Sequence, residues 1–161
     1  MNPPFLQAPR AAIDPVTSRM VFAACSRRKL TTREPVPALD LYQGGCIPQL
    51  RLRLGGSPRH RARIWILSAQ HGLICADSPI LPYDRRLDHV RARYLRPAVT
   101  TTLAHQARVD GLPSECLIIA EPVYLTLLTD LLFTRVQVHW IDDVHNGWDR
   151  AAEVLDAWGW P

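Results

Sequence analysis

Lysine is nearly absent from this chain of 161 residues: Lys29 stands alone beside 18 arginines. A coding bias toward arginine accounts for most of that skew, which leaves Lys29 as the position where arginine was not used. The two cations differ in hydration, shape and ease of pKa tuning, so a sole lysine marks a place where a compact ammonium is wanted. Cysteine is scarce as well. Cys25, Cys46, Cys75 and Cys116 form no CxxC pair and have no ligand spacing with histidine, so no structural zinc, and no cofactor, is expected. No apolar run approaches the roughly 18 residues needed to span a bilayer, and the opening MNPPFLQAPRAAIDP lacks a charged-then-apolar signal pattern. Together these absences point to a cytoplasmic protein with reduced thiols and no membrane partner.

Other absences concern chemistry. The chain has no GxGxxG, which argues against a nicotinamide enzyme, and no glycine-rich P-loop. It also lacks the GxSxG elbow of the serine hydrolases, and it has no internal repeat. What is present is the balance of one folded domain: 47% hydrophobic and 21% charged residues, with a net charge of +4, which excludes disorder and a coiled coil. Residues 1–18, rich in proline and small side chains, read as a loose arm, and residues 19–161 as a single domain.

Within that domain, short apolar runs alternate with helical periodicity. Strands are expected at 20–25, 63–67, 116–120 and 136–141. Helical stretches are expected over 37–54, broken near Gly44-Gly45, over 87–107 with a kink or split at Pro97, over 123–132 and over 148–158. The pattern predicts an α/β three-layer sandwich around a mostly parallel sheet of about four strands. In such sheets the ligand crevice lies beyond the carboxyl ends of the strands. Those ends nominate Cys25 to Lys29, Ser68 to Gly72, Glu121 and Asp142-Asp143.

Each nominee has two readings. The turn Ser26-Arg27-Arg28-Lys29 suits a phosphate or carboxylate, or is simply a solvated basic turn. Ser68, Gln70 and His71 bring a hydroxyl, an amide and an imidazole to a strand end beside Gly72; His71 is the best general acid there, or a structural histidine. Pro82-Tyr83-Asp84 offers a ring for stacking and a carboxylate for a sugar, or a packed tyrosine and a helix cap. Glu121 and Asp142 are bases or N-caps. The run Arg51, Arg53, Arg59, Arg61 and Arg63 with His60 is a phosphate-backbone contact or a solvated loop. The remaining histidines show no metal-ligand spacing, so no metal is expected.

The segments AACSRRKL, PALDLYQGG, ARIWILSAQHGLICADSPILPYDRRL and LIIAEPVYLTLL, in that order, resemble small α/β proteins related to the YaaA peroxide-stress, DNA-binding family. The matching positions are Ser26 and Lys29, Tyr42, Leu67-Ser68 with Gly72-Leu73, and Pro82-Tyr83. More distantly, the chain is similar to uracil-DNA-glycosylase-like domains, whose Asp-Pro-Tyr motif shares residue types, but not order, with Pro82-Tyr83-Asp84. The resemblance implies a nucleotide or nucleic-acid partner, DNA in preference to RNA. The expected function is an N-glycosidase or base-exchanging enzyme cleaving a base–sugar bond. Its catalytic groups would be His71 and Asp84, and its ligand groups Ser26, Lys29, Ser68, Gln70, Tyr83 and Glu121. The alternative is a non-catalytic, YaaA-like DNA-binding stress or defence protein that uses the Arg51–Arg63 segment.

Overall fold

A computed structural model describes residues 14–161 of the chain. Thirteen of the eighteen residues of the expected arm therefore lie outside the described residues. Of the last five, Val16 is buried in the core, and the Thr17 carbonyl accepts from Arg63.

The apolar runs become strands β1 (Arg19–Ala24), β3 (Ile64–Ser68), β6 (Glu115–Ile119) and β7 (Gln137–Ile141), each within two residues of its expected limits. Between them lie β2 (Val36–Pro37), α1 (Ala38–Leu41), α2 (Ile47–Leu54), α3 (Pro58–Arg61), β4 (Gly72–Cys75), β5 (Pro79–Ile80) and α4 (His89–Asp110). Two short helices, α5 (Pro122–Leu125) and α6 (Thr129–Leu132), flank a 3-10 turn at Thr126–Leu128, and α7 (Trp148–Ala157) follows β7. Among the described residues the main sheet has five strands in the order β4-β3-β1-β6-β7. The pairings β3-β1, β1-β6 and β6-β7 are parallel, while β4 returns antiparallel along β3. The fold is thus mixed α/β with a central, mostly parallel sheet, and the strand beyond the expected four is β4.

Period-two alternation along the strands divides the apolar side chains between two faces. Val21, Ala23, Ile64, Ile66, Leu117 and Ile119 pack with residues of α1, α2 and α7. Met20, Phe22, Leu67, Cys116 and Ile118 pack with residues of α4 and the α5–α6 segment. The central strands are therefore apolar except at their ends, where Arg19, Glu115 and Ser68 stand, because both faces are covered.

Three local departures from sequence expectation have physical causes. Pro97 lies inside α4, which continues over its full 22 residues; only the bond to the residue four positions earlier is lost, on a surface helix anchored through buried Ala92, Leu95 and Val99. The stretch 123–132 is three short pieces instead of one helix. Residues 72–75 form a strand because Gly72 takes a φ of +79°, open to glycine at little cost, and turns the chain back along β3.

Candidate functional site

Three parallel strands end side by side at Ala24, Ser68 and Ile119, and the polar residues that follow each face the same end of the sheet. After β1 the chain turns through Cys25 and Ser26. The Ser26 hydroxyl donates to the Arg28 carbonyl at 2.7 Å and accepts the Gly44 N–H at 3.1 Å. Any side chain at Gly44 would press on Ser26, its Cβ only 3.0 Å from the serine Cβ. Backbone bonds from Leu30 N–H to the Leu41 carbonyl (2.8 Å) and from Gln43 N–H to the Arg28 carbonyl (2.9 Å) lay residues 28–30 against 41–43, with Lys29 bridged to Tyr42. The expected basic turn is thus fastened to α1 and the loop after it.

A cavity of about 830 Å³ opens here. Arg27, Arg28, Lys29, Arg85 and Arg86 contribute five cations to its lining, and Asp84 and Glu121 two carboxylates. Ser26, Cys25, Gln49 and Tyr124 also line it. Two side-chain oxygens in this wall, Gln49 Oε1 and Glu121 Oε2, are buried with no hydrogen-bond partner among the described residues. Such acceptors carry a desolvation cost of about 1–3 kcal/mol each unless a ligand or water supplies a donor. Glu121 occupies the N-cap position of α5 but makes no side-chain cap bond. The capping reading that would have explained it structurally therefore does not apply.

Behind the cavity runs a buried chain of hydroxyls. Ser68 Oγ accepts the N–H groups of Gln70 (3.2 Å) and His71 (3.0 Å), which fills both of its lone pairs. Its own hydrogen therefore goes to the Tyr83 hydroxyl at 2.8 Å, and Tyr83 donates in turn to Tyr42 at 2.7 Å. Burial pushes the Tyr42 phenol up to about 12 and holds Tyr83 higher still, so both stay protonated. The Lys29 ammonium lies over these rings, 4.4 Å from the Tyr83 centroid and 5.8 Å from that of Tyr42. Beside it, Cys25 Sγ meets the Tyr124 hydroxyl at 3.2 Å and accepts the Ala69 N–H at 3.4 Å. All four cysteines are free thiols.

The sequence-nominated residues thus separate. Ser26, Lys29, Asp84 and Glu121 line one cavity. Ser68 is fully buried outside the lining and Tyr83 is linked to it, so these two meet the cavity only where Lys29 rests on the Tyr83 ring. His71 is not in the cavity lining; it is exposed on the β3–β4 turn, edge-on to the Tyr83 ring at 5.5 Å. Partial burial, helped by Arg91, lowers its pKa below the usual histidine value. Gln70 Oε1 accepts from Arg85 at 3.4 Å. Asp142 is 3.7 Å from Arg150 and outside the lining. Cys25, at a nominated strand end, also lines the wall, whereas Gln49 and Tyr124 were not nominated: each becomes a wall residue only through tertiary packing.

The arginine-rich segment is engaged internally. Arg51 donates to the Leu39 and Tyr42 carbonyls and to Gln43. Arg53 binds Asp156 and the Trp160 carbonyl, and Arg59 pairs with Asp14. Arg61 bridges Asp40 and Asp77. Arg63 is buried, paired with Asp110 at 3.0 Å and bonded to the Arg19 and Thr17 carbonyls. These guanidinium groups staple the fold instead of forming a free row for phosphates.

No three His, Cys, Asp or Glu side chains gather as a metal site among the described residues, and no helix there is long and apolar enough to cross a membrane. Fold and cavity together define a mixed α/β protein with a charged cavity at the carboxyl end of a mostly parallel sheet. Residues 20–142 match a family of unknown function, DUF6884, and the chain belongs to that family. No curated protein and no solved structure matches it.

Proposed function

We propose that the cavity binds a nucleotide, free or within nucleic acid, and that the protein cleaves its base–sugar bond as an N-glycosidase. The observation that carries this reading is the lining itself: five cations and two carboxylates around about 830 Å³, a volume in the range of small-ligand sites. Cationic side chains suit a phosphate. The unpartnered Gln49 Oε1 and Glu121 Oε2 suit N–H donors on a base edge. Cleavage of a C1′–N bond passes through an oxocarbenium-like state, which a nearby carboxylate stabilises while directing water to C1′. Asp84 takes that role, and Glu121 holds the base. His71 is too peripheral to touch the ligand and acts by packing on Tyr83.

The likeness to YaaA-related proteins and to uracil-DNA-glycosylase-like domains is compatible with this reading. The alternative, DNA binding through Arg51–Arg63, draws no support from arginines already committed to internal partners. The test is release of free base, followed by mass spectrometry, from a panel of nucleotides and oligonucleotides carrying normal and modified bases. The wild-type protein should release at least one, and Asp84→Asn should abolish release while circular dichroism remains unchanged. No release from any substrate would reject the glycosidase reading.

A further inference from the structure

Five cations line the cavity, yet only Lys29 can become a neutral amine under ordinary conditions, because arginine keeps its proton throughout. The four arginines are enough to meet an anionic group, so the lysine is not needed as a fifth point charge. Its surroundings are unusual for a simple charge. No ion pair holds it among the described residues; its one hydrogen bond is a long one, 3.4 Å, to the Arg27 carbonyl, and its ammonium is sandwiched against Tyr83 and Tyr42. The backbone bridge to Tyr42 fixes where the side chain starts, and the hydroxyl chain through Ser68 fixes the tyrosine it rests on.

We propose that Lys29 is an amine nucleophile that captures a sugar aldehyde, the ring-opened C1′ carbonyl of a sugar phosphate, as an imine. This inference rests on the nucleotide reading of the cavity, since the sugar left by base cleavage is the aldehyde that would meet Lys29. The neutral Nζ adds its lone pair to the aldehyde carbon, and the carbonyl oxygen takes up a proton. That oxygen then leaves as water, carrying in total the two hydrogens of the original amine, and a C=N bond remains. Burial beside the tyrosine rings pulls the Lys29 pKa below the ordinary lysine value, opposed by Cys25 and by Asp84. Asp84 lines the same cavity, is the carboxylate whose charge Lys29 feels, and is the natural relay for the protons exchanged.

Because the chain has one lysine, reductive trapping is unambiguous. The full-length protein is incubated with 2-deoxyribose 5-phosphate and sodium borohydride at pH 7, and the adduct is located by peptide mapping. Hydride from the borohydride converts the imine to a stable secondary amine. The expected result is labelling of Lys29 at least tenfold above the α-amino group, with Lys29→Arg unlabelled at that position. Labelling of Lys29 no greater than that of the α-amino group would overturn the proposal, and this comparison is internal to the wild-type protein, independent of how any variant folds. Base release without Lys29 labelling would reject the nucleophile and keep the glycosidase; labelling without base release from any substrate would do the reverse.

Discussion

At the residue scale the site depends on a hydroxyl chain that sets the direction of each hydrogen bond. Removing the middle member should be felt as lost stability. Tyr83→Phe keeps the ring under Lys29 but leaves the Ser68 hydrogen without an acceptor in a fully buried position. The expected cost is about 1–3 kcal/mol in urea unfolding, with the fold retained. Histidines give a second prediction. His71 and His60 both have folded pKa values below the ordinary value of 6.5, chiefly through burial. The unfolded chain therefore binds more protons than the folded one as pH falls through that value, so their contribution to stability is full above it and is lost on acidification toward the lower folded pKa. Thermal unfolding from pH 7.5 to 5 should show this decline, and His60→Gln with His71→Gln should flatten it. The residues legible in the sequence were those the strand-end rule reaches: Ser26, Lys29, Glu121, and Asp84 by its neighbouring motif. Gln49 and Tyr124 were not, because their place in the wall comes from how α2 and α5 pack.

At the element scale the antiparallel return of β4 is what the apolar pattern could not supply. Four residues after a polar turn carry no decisive period, and the signal was a single glycine. Its φ of +79° disfavours any side chain, and a Cβ there would stand 3.2 Å from Val99 Cγ2 on α4. Gly72→Ala should cost about 1–3 kcal/mol in denaturant unfolding, whereas the exposed Gly56, with open space around it, should tolerate the same change. The inner strands were readable because both faces of the parallel core are covered, so each appears as an apolar run bounded by polar residues, while the edge strand β7 is interrupted by Gln137 and His139. The α5–α6 segment misled for the same reason: apolar content over ten residues does not distinguish one helix from three short turns.

At the scale of the whole molecule, charge is spent in two different ways. The arginines of residues 51–63 look in sequence like a phosphate-binding row, and the fold commits each to carbonyls or carboxylates of other segments. Arg63 is the clearest case. Arg63→Ala leaves the Thr17 and Arg19 carbonyls and Asp110 without their partner and should destabilise by about 1–3 kcal/mol in urea unfolding. The arginines and the lysine of the cavity, by contrast, belong to loops after β1 and before α4 that converge only in three dimensions. Net charge, which merges the two groups, says nothing about which is which.

Where a nucleotide binds decides the role of the cavity. The most direct measurement is a crystal structure of the protein soaked with a nucleoside monophosphate. The account predicts the phosphate against Arg27, Arg28, Arg85 and Arg86, the base edge on Gln49 and Glu121, and the sugar between Lys29 and Asp84. Well-occupied ligand density outside that cavity, or a cavity empty at saturating nucleotide, would contradict it.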